Sequence, residues 1–527
     1  MAVKRGRGDL EEIEALIMGE FSILASSGVF SVMGATLRGG AHVTVSAPLC
    51  HSLPIIECLS TEPSGASEIK IQHHNSGIRS LHRAVPLFKH MWGGDPRVPL
   101  DKQRSFTTLR SGDDIPGHWK YEVKTLDLSE SWKQLICELT ESIKKEALPV
   151  IAAAGPKSAG KSTFCRHLYN SILTNPTTSN GNDGVAFLDL DPGQPEFSPP
   201  GQVSLFHLRS PLLGPPFSHA GLINDNNRLV RSHHIGHNTP ENNPDHYVAC
   251  AVDLFAQYRK LVPRHPACPL IINTAGWVKA AGLEILTDLL RQSLTTHLVW
   301  FTSEPSAGGE DSASLRRASE GISVRELPSQ PARPTSRTPA DLRAMQTLSY
   351  LHLSPGLNMD ADRQEGHGLQ WDATPLTHQV PWVVEYSGPT PGILGIMILE
   401  ETLPTELLTT AINGTIVAVV VIEDDDALPT TTTNGDQKAK GRTGSNRKEK
   451  QPSQDLAIDR DPATNLPYIR TPDGAPLDPT KTSCAGLALI RGIDTANQAL
   501  HLITPIDPSR LPPGKNVVLV RGRAELS

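Results

Sequence analysis

Apolar and polar positions change rhythm twice along the chain. Up to about residue 120, short apolar stretches are separated by Gly, Ser and Pro turns such as Arg38-Gly39-Gly40. The stretches Phe21–Ala25, Val29–Leu37, His42–Ala47, Ile55–Cys58 and Glu68–Ile71 are predicted as strands of a small β-sandwich or barrel. From Ser129 the period lengthens. Trp132, Leu135, Ile136, Leu139 and Ile143 recur at helical spacing, and Pro149 ends that helix. Buried strands are then expected at Val150–Ala154, Val185–Asp191, Pro269–Asn273 and His297–Ser303. Helices are expected at Ser162–Leu173, Tyr247–Leu261 and Leu283–Arg291. Alternation of this kind predicts an α/β domain over 121–355 with a parallel sheet covered on both faces. Strand patterns return at Thr415–Ile422, Gly486–Gly492, Ala499–Thr504 and Asn516–Arg523, giving a second β-rich domain over 356–527. Two polar stretches, Glu304–Arg333 and Glu423–Gln454, read as unstructured, the second as a long loop inserted into the last domain.

Composition narrows the class. At 527 residues the chain is long enough for three or four domains. Its net charge of −7 excludes a globally basic nucleic-acid binder but not a local basic surface. The longest clean apolar run, Ile416–Ile422, has strand length, so no membrane span is expected. The first residues lack an apolar leader segment, which argues against secretion. Seven scattered cysteines without CxxC spacing fit reduced thiols in the cytosol or nucleus.

The chemistry concentrates in three segments. Gly155-Pro156-Lys157-Ser158-Ala159-Gly160-Lys161-Ser162 matches G-x-x-x-x-G-K-[ST] between an apolar strand and a helix. Gly160 lets the backbone approach phosphates, Lys161 neutralises their oxygens, Ser162 is a Mg²⁺ ligand, and Thr163 opens the helix whose N-terminus favours anions. A nucleoside triphosphate with Mg²⁺ is therefore expected. The second segment runs Asp189-Leu190-Asp191-Pro192-Gly193-Gln194-Pro195-Glu196-Phe197. Strand alternation puts Asp189 and Asp191 on one face at the carboxyl end of a strand, where open α/β sheets bind ligands. One carboxylate suits the metal shell and the other a general base. The third is Asn273-Thr274-Ala275-Gly276-Trp277. No N-K-x-D, H-R-D or D-F-G motif occurs, which argues against an ordinary GTPase or a protein kinase. The residues alone leave open a kinase acting on a hydroxyl, another P-loop ATPase, or a scaffold locked by nucleotide.

In this order the three segments resemble the eukaryotic polynucleotide 5′-hydroxyl-kinase family. The form Asp-Pro-Gly-Gln-Pro-Glu-Phe-x-Pro-Pro-Gly, with Ile235-Gly236-His237-Asn238-Thr239-Pro240 and Tyr247, is similar to its nucleolar branch of Grc/Nol type. The resemblance implies transfer of the ATP γ-phosphate to the 5′-hydroxyl of RNA during pre-ribosomal-RNA processing. It implies a nuclear, nucleolar location and an HEPN-type endonuclease partner. It assigns Lys161 and Ser162 to phosphates and Mg²⁺, Asp191 to the base and Asp189 to the metal shell, the last two roles being exchangeable. Gln194 and Glu196 would position metal-bound water or the RNA end. Thr274, Gly276 and Trp277 would clasp the substrate, with the Trp277 ring stacked on a base. A lid arginine is also expected, with Arg337 and Arg343 as candidates. Lys157 reads equally as a phosphate contact and a solvated lysine. His233-His234-Ile235-Gly236-His237 reads as a solvated loop rather than a metal site, and Lys4–Arg7 and Lys438–Lys450 as weak basic runs.

Overall fold

The strand and helix patterns are realised around three sheets. The structure is a computed structural model, and it describes residues 2–4, 15–60, 67–92, 104–109, 123–126, 128–143, 148–175, 183–221, 226–302, 320–330, 336–354, 369–424, 427 and 458–524. Most of Glu304–Arg333 and Glu423–Gln454, with Lys438–Lys450, lies outside them, as does most of Lys4–Arg7.

The first sheet holds eight strands: β1 (Ala2–Lys4), β2 (Ala15–Ser27), β3 (Val29–Val32), β4 (Ala35–Leu37), β5 (His42–Ala47), β6 (Ile55–Ser60), β7 (Glu68–His73) and β8 (Phe106–Leu109). Expected strand Val29–Leu37 is in fact a hairpin. Met33-Gly34 turns it, with Gly34 at φ 83°. A side chain at Gly34 would strike the His167 carbonyl at 2.3 Å, so only glycine lets this turn close on the helix behind it. Long strand β2 pairs with β5, β6, β7 and β8 in different stretches, and its apolar residues Ile17, Phe21 and Ile23 fill the core.

The central sheet has the order β12-β11-β10-β13-β9-β14-β15. Its strands are β9 (Val150–Ala154), β10 (Val185–Leu190), β11 (Gln202–Leu208), β12 (Asn227–His234), β13 (Leu270–Thr274), β14 (His297–Thr302) and β15 (Ser323–Pro328). From β10 to β15 the pairing is parallel, as expected. Strands β11 and β12 are antiparallel, so the sheet is mixed. Their sequences mix apolar residues with Ser, His and Arg, which conceals that β11 is wholly buried. Strand β15 lies inside a stretch expected to be unstructured. Its pairing with β14 orders a segment whose own composition is polar.

Helices cover both faces because successive β9 residues point to opposite sides. Ile151 and Ala153 meet α1 (Glu130–Ser142) and α2 (Lys161–Thr174) through Trp132, Leu135, Phe164 and Leu168. Ala152 and Ala154 meet α3 (Pro244–Leu261) and α4 (Ala281–Gln292) through Leu254, Leu286 and Leu289. One more helix, α5 (Pro339–Leu351), starts at a Thr338–Asp341 capping box.

The first two sheets belong to one compact unit, together with residues 504–507 and the last residues of the chain. The second unit starts at Pro381, later than the expected 356. Its sheet has the order β16-β22-β21-β18-β23-β17-β20-β19. Strands β18 (Ile416–Ile422), β21 (Thr482–Asp494), β22 (Ala499–Ile503) and β23 (Val517–Arg521) match the expected runs. Strands β16 (Trp382–Glu385), β17 (Gly395–Ile398), β19 (Ile458–Arg460) and β20 (Pro467–Ile469) are too short to have been read in advance. Among the described residues no helix is long and apolar enough to cross a membrane.

In the first sheet Glu20 is 1% exposed. Its Oε1 accepts from the Ser76 N–H at 3.2 Å. Burial pushes its carboxyl up to about 7, against the pull of Ser76 and Arg79. The folded state thus binds the Glu20 proton more tightly than the unfolded chain. Between about pH 4.5 and 7 folding stability should fall as pH rises. Glu20→Gln should remove that slope and stabilise the protein by up to about 3 kcal/mol at pH 8, relative to the wild type's own pH profile. Denaturant midpoints at pH 5 and pH 8 check this; equal slopes for both proteins would refute it.

Candidate functional site

The phosphate loop leaves β9, the central parallel strand, and enters α2. Gly155 has φ 150°, and a Cβ there would lie 2.7 Å from Phe301 Cβ. Gly160 has φ 101° and caps α2, with the Trp132 ring where a side chain would go. Ser158 is left-handed at φ 62° and exposed, as is Lys157. Ala159 is buried, and its carbonyl accepts from Gln330 N–H at 3.1 Å, tying the loop to the end of β15. Lys161 Nζ donates to the carbonyls of Gly155 at 3.1 Å and Pro156 at 2.9 Å. Burial lowers the Lys161 pKa, and Asp191 opposes that drop. Ser162 and Thr163 are half-buried at the first turn of α2.

The acidic strand β10 is not the neighbour of β9: β13 lies between them. Register puts Asp189 beside Asn273, and Asn273 beside Ala153. Asn273 therefore spans the gap. Its amide lies 3.2 Å from Ser162 Oγ and donates to Asp189 Oδ1 at 3.0 Å. Asp189 also accepts from the N–H groups of Asp191 at 3.1 Å and Glu196 at 2.6 Å. It is wholly buried, and burial pushes its carboxyl up to about 8, with Asp191 adding to the rise and the N–H donors opposing it. Asp191 sits just past the strand end, half-buried. Its Oδ1 accepts from Gly193 at 2.9 Å and Gln194 at 3.4 Å, a turn that leaves Oδ2 for another donor. Both aspartates thus lie on the phosphate-loop side of the sheet edge, one acting on Ser162 through Asn273 and one on Lys161.

Other expected site residues hold the site together rather than face a ligand. Glu196 is 1% exposed. Its carboxylate takes a two-pronged bond from Arg166 on α2, at 2.7 and 2.8 Å, and a third from His219 at 3.1 Å. Burial, the largest single effect, raises its pKa, but Arg166 and His219 together outweigh it and hold it at about 2. Glu196 is thus corrected from a contact with water or RNA to the buried anchor of the acidic loop. Thr274 is likewise buried, and its hydroxyl donates to the Ala153 carbonyl at 3.0 Å, stitching β13 to β9. Gly276 packs against the phosphate loop, where a side chain would lie 2.5 Å from Lys157 Cγ. Gln194 is exposed. Trp277 is half-buried against Gly282 in the first turn of α4.

The two candidate arginines part company. Arg337 donates to the carbonyls of Leu87, Lys89 and Ser336 and so ties the start of α5 to the first-sheet region. Arg343, on α5, has a buried Nε without a hydrogen-bond partner among the described residues. One turn on, Gln346 donates to the carbonyls of Pro195 at 2.6 Å and Ser198 at 2.7 Å, placing α5 on the acidic loop. The histidine run departs from the solvated-loop expectation. His233 is buried on β12 and lies 2.9 Å from Asp253, which also pairs with Arg231 at 2.7 Å. Sequence reading placed Asn273 in the third segment without a role, and it missed Arg166 and Gln346. Asn273 breaks an apolar strand, and that was its available signal; Arg166 and Gln346 lie among other polar helix residues, Thr163, Asn170, Arg343 and Ser349, and carried none.

Among the described residues no cluster of three or more His, Cys, Asp or Glu side chains could hold a metal. Ser162 supplies a hard oxygen ligand, and Asp189, buried with both oxygens accepting from N–H donors, would act on a cation through water or Asn273. That fits Mg²⁺, which keeps waters and phosphate oxygens beside one or two carboxylates.

Comparison with known proteins converges on these segments. A family model described as the mRNA cleavage and polyadenylation factor CLP1 P-loop matches residues 155–353. A polynucleotide 5′-hydroxyl-kinase of Gibberella zeae is 36% identical over 96% of this chain and 68% of its own length. The chain belongs to the polynucleotide 5′-hydroxyl-kinase Grc3 family. Family members from Neosartorya fischeri, at 36%, and Aspergillus niger, at 37%, align over 97% of the chain but 65% of their own length, so it spans just under two thirds of these relatives. The wild-type Clp1p–Pcf11p (454–563) complex contains a chain of the same fold, with TM-score 0.55, 14% identity, and coverage of 99% of this chain and 98% of that one.

Glu196→Gln should leave Arg166 buried without its counter-charge and cost about 3–5 kcal/mol. Pairing Arg166→Met with Glu196→Leu should recover most of that loss. Urea unfolding measures both; a single substitution costing under about 1 kcal/mol would show that the pair does not anchor the loop.

Proposed function

We propose that the chain is an ATP-dependent polynucleotide 5′-hydroxyl kinase that phosphorylates the 5′-OH end of RNA. Its setting in this reading is pre-ribosomal-RNA processing in the nucleolus, after an HEPN-type endonuclease has exposed that end. The observation that carries the reading is the meeting of phosphate loop and acidic pair: Asp189 joined to Ser162 through Asn273, and Asp191 acting on Lys161. Membership in a family whose relatives are named polynucleotide 5′-hydroxyl-kinases supplies the acceptor.

The chemistry follows from these positions. The loop backbone and Lys161 bind the triphosphate, with the Lys161 ammonium exchanging loop carbonyls for phosphate oxygens. Ser162, with Asp189 acting through water or Asn273, would hold Mg²⁺, which offsets phosphate charge when bound. Asp191 Oδ2 accepts the proton of the 5′-hydroxyl as the ribose oxygen bonds to the γ-phosphorus and the bond to ADP breaks. Arg343 is the better lid candidate because Gln346, one turn away, seats its helix on the acidic loop and Arg337 is committed to carbonyls. Trp277 and Gln194 remain exposed enough to meet the RNA end.

Asp191→Asn should cut transfer from γ-labelled ATP to a 5′-OH oligoribonucleotide by about 10²–10⁴-fold while nucleotide binding persists. Lys161→Ala should weaken both. Unchanged labelling by Asp191→Asn would overturn the base assignment, and RNA-independent hydrolysis without transfer would overturn the kinase reading.

A further inference from the structure

The opposite end of the central sheet carries a second charged site. Strand β11 ends at Leu208 and β12 begins at Asn227, and register sets His207 directly across from Arg228. Directly opposed residues share a face of the sheet. Arg209 follows two residues after His207, and its N–H donates to Asn227 Oδ1 at 2.9 Å. The His207 ring packs on the His265 ring, centroids 4.3 Å apart, which brings in the adjoining Arg264. Asp183 pins the group from below: its carbonyl lies 2.6 Å from His207 Nε2, and its carboxylate accepts from Ala267 N–H at 2.7 Å. The backbone of four segments is thus fixed, while the side chains of Arg209, Arg228 and Arg264 are all exposed. Their charges converge: burial lowers the His265 pKa, Asp183 opposes that, and the three arginines lower it further. A chain of net charge −7 has gathered three guanidiniums around two imidazoles that pack with their planes tilted by 45°.

We infer that the platform Arg209–Arg228–Arg264, with His207 and His265, is a second nucleic-acid contact that holds the single-stranded RNA chain downstream of its 5′ end. Guanidiniums match phosphates, and the partly exposed His265 ring can meet a base while buried His207 backs it. The inference rests on the kinase reading for the identity of the strand. Its position suits that path. Asp183 and Asp191 lie at the two ends of β10, which at the usual rise per residue puts the platform about 25 Å from the reacting end. Strand β11 pairs with β10 and is buried, and β12 is the edge strand beyond it, running between His234 beside Gln202 and Asn227 at the platform, so a chain leaving the acidic loop would follow β12.

The test is equilibrium binding, without ATP, of a long 3′-labelled oligoribonucleotide to the full chain and to the Arg209→Ala, Arg228→Ala, Arg264→Ala variant. The substitutions are on exposed side chains and leave the anchoring bonds of Asp183 and Asn227 in place. Expected is about tenfold weaker binding and a slope of log K against log salt reduced by about 2, from about 0.7 per phosphate contact on a single strand. In turnover, KM for the long oligonucleotide should rise with kcat unchanged, and a 5′-OH dinucleotide should be phosphorylated equally well by both proteins. Unchanged affinity and salt slope would overturn the inference. So would loss of binding to an acidic polypeptide with RNA binding retained, which would make the platform a protein contact. Normal binding differences without any phosphorylation would sink the kinase reading alone.

Discussion

The buried ion pair between Arg166 and Glu196 is the constraint on which the site rests. The acidic loop after β10 has no regular structure, yet it must hold Asp191 still beside a phosphate loop that leaves a different strand. Arg166 projects from the helix that begins with that phosphate loop, and Glu196 lies midway along the acidic one. One bidentate contact therefore fixes two loops in a common frame. The same residue acts twice: the Glu196 carboxylate grips α2 while its N–H binds Asp189. Gln346 closes the opposite side, so the loop is clamped between α2 and α5.

Strand order gives the site its chemistry. Because β13 intervenes between β9 and β10, a direct contact from Ser162 to Asp189 gives way to one relayed by Asn273. An amide suits that place. It can donate to a carboxylate on one side and meet a hydroxyl on the other without adding charge to a buried layer. Asp189 stays desolvated and Asp191 stays at the water boundary, so two nearly identical carboxyls sit in different environments.

The same sheet separates functions along its length. Its carboxyl edge gathers the phosphate loop and the acids, and its amino edge carries the arginine platform. A rigid strand is a good spacer between a reacting end and a place to hold the rest of a long polymer, because neither site can drift relative to the other.

Much of this was legible in advance. The apolar runs at β9, β10, β13 and β14 and the helical stripes of α1, α3 and α4 needed only period and burial to be read. The glycine-rich loop and the Asp189–Asp191 pair announced themselves by residue type and spacing. What the chain order alone could not say is which strands become neighbours. The insertion of β13, and with it the role of Asn273, is a long-range pairing. So is the capture of polar Ser323–Pro328 as a strand. Glu196 and Thr274 looked like ligands because polar residues in a motif read the same whether they face a substrate or satisfy a buried partner. Arg166 meets Glu196, and Gln346 meets the carbonyls of the acidic loop, only in three dimensions. A charge or amide is buried stably only where distant segments bring its complement.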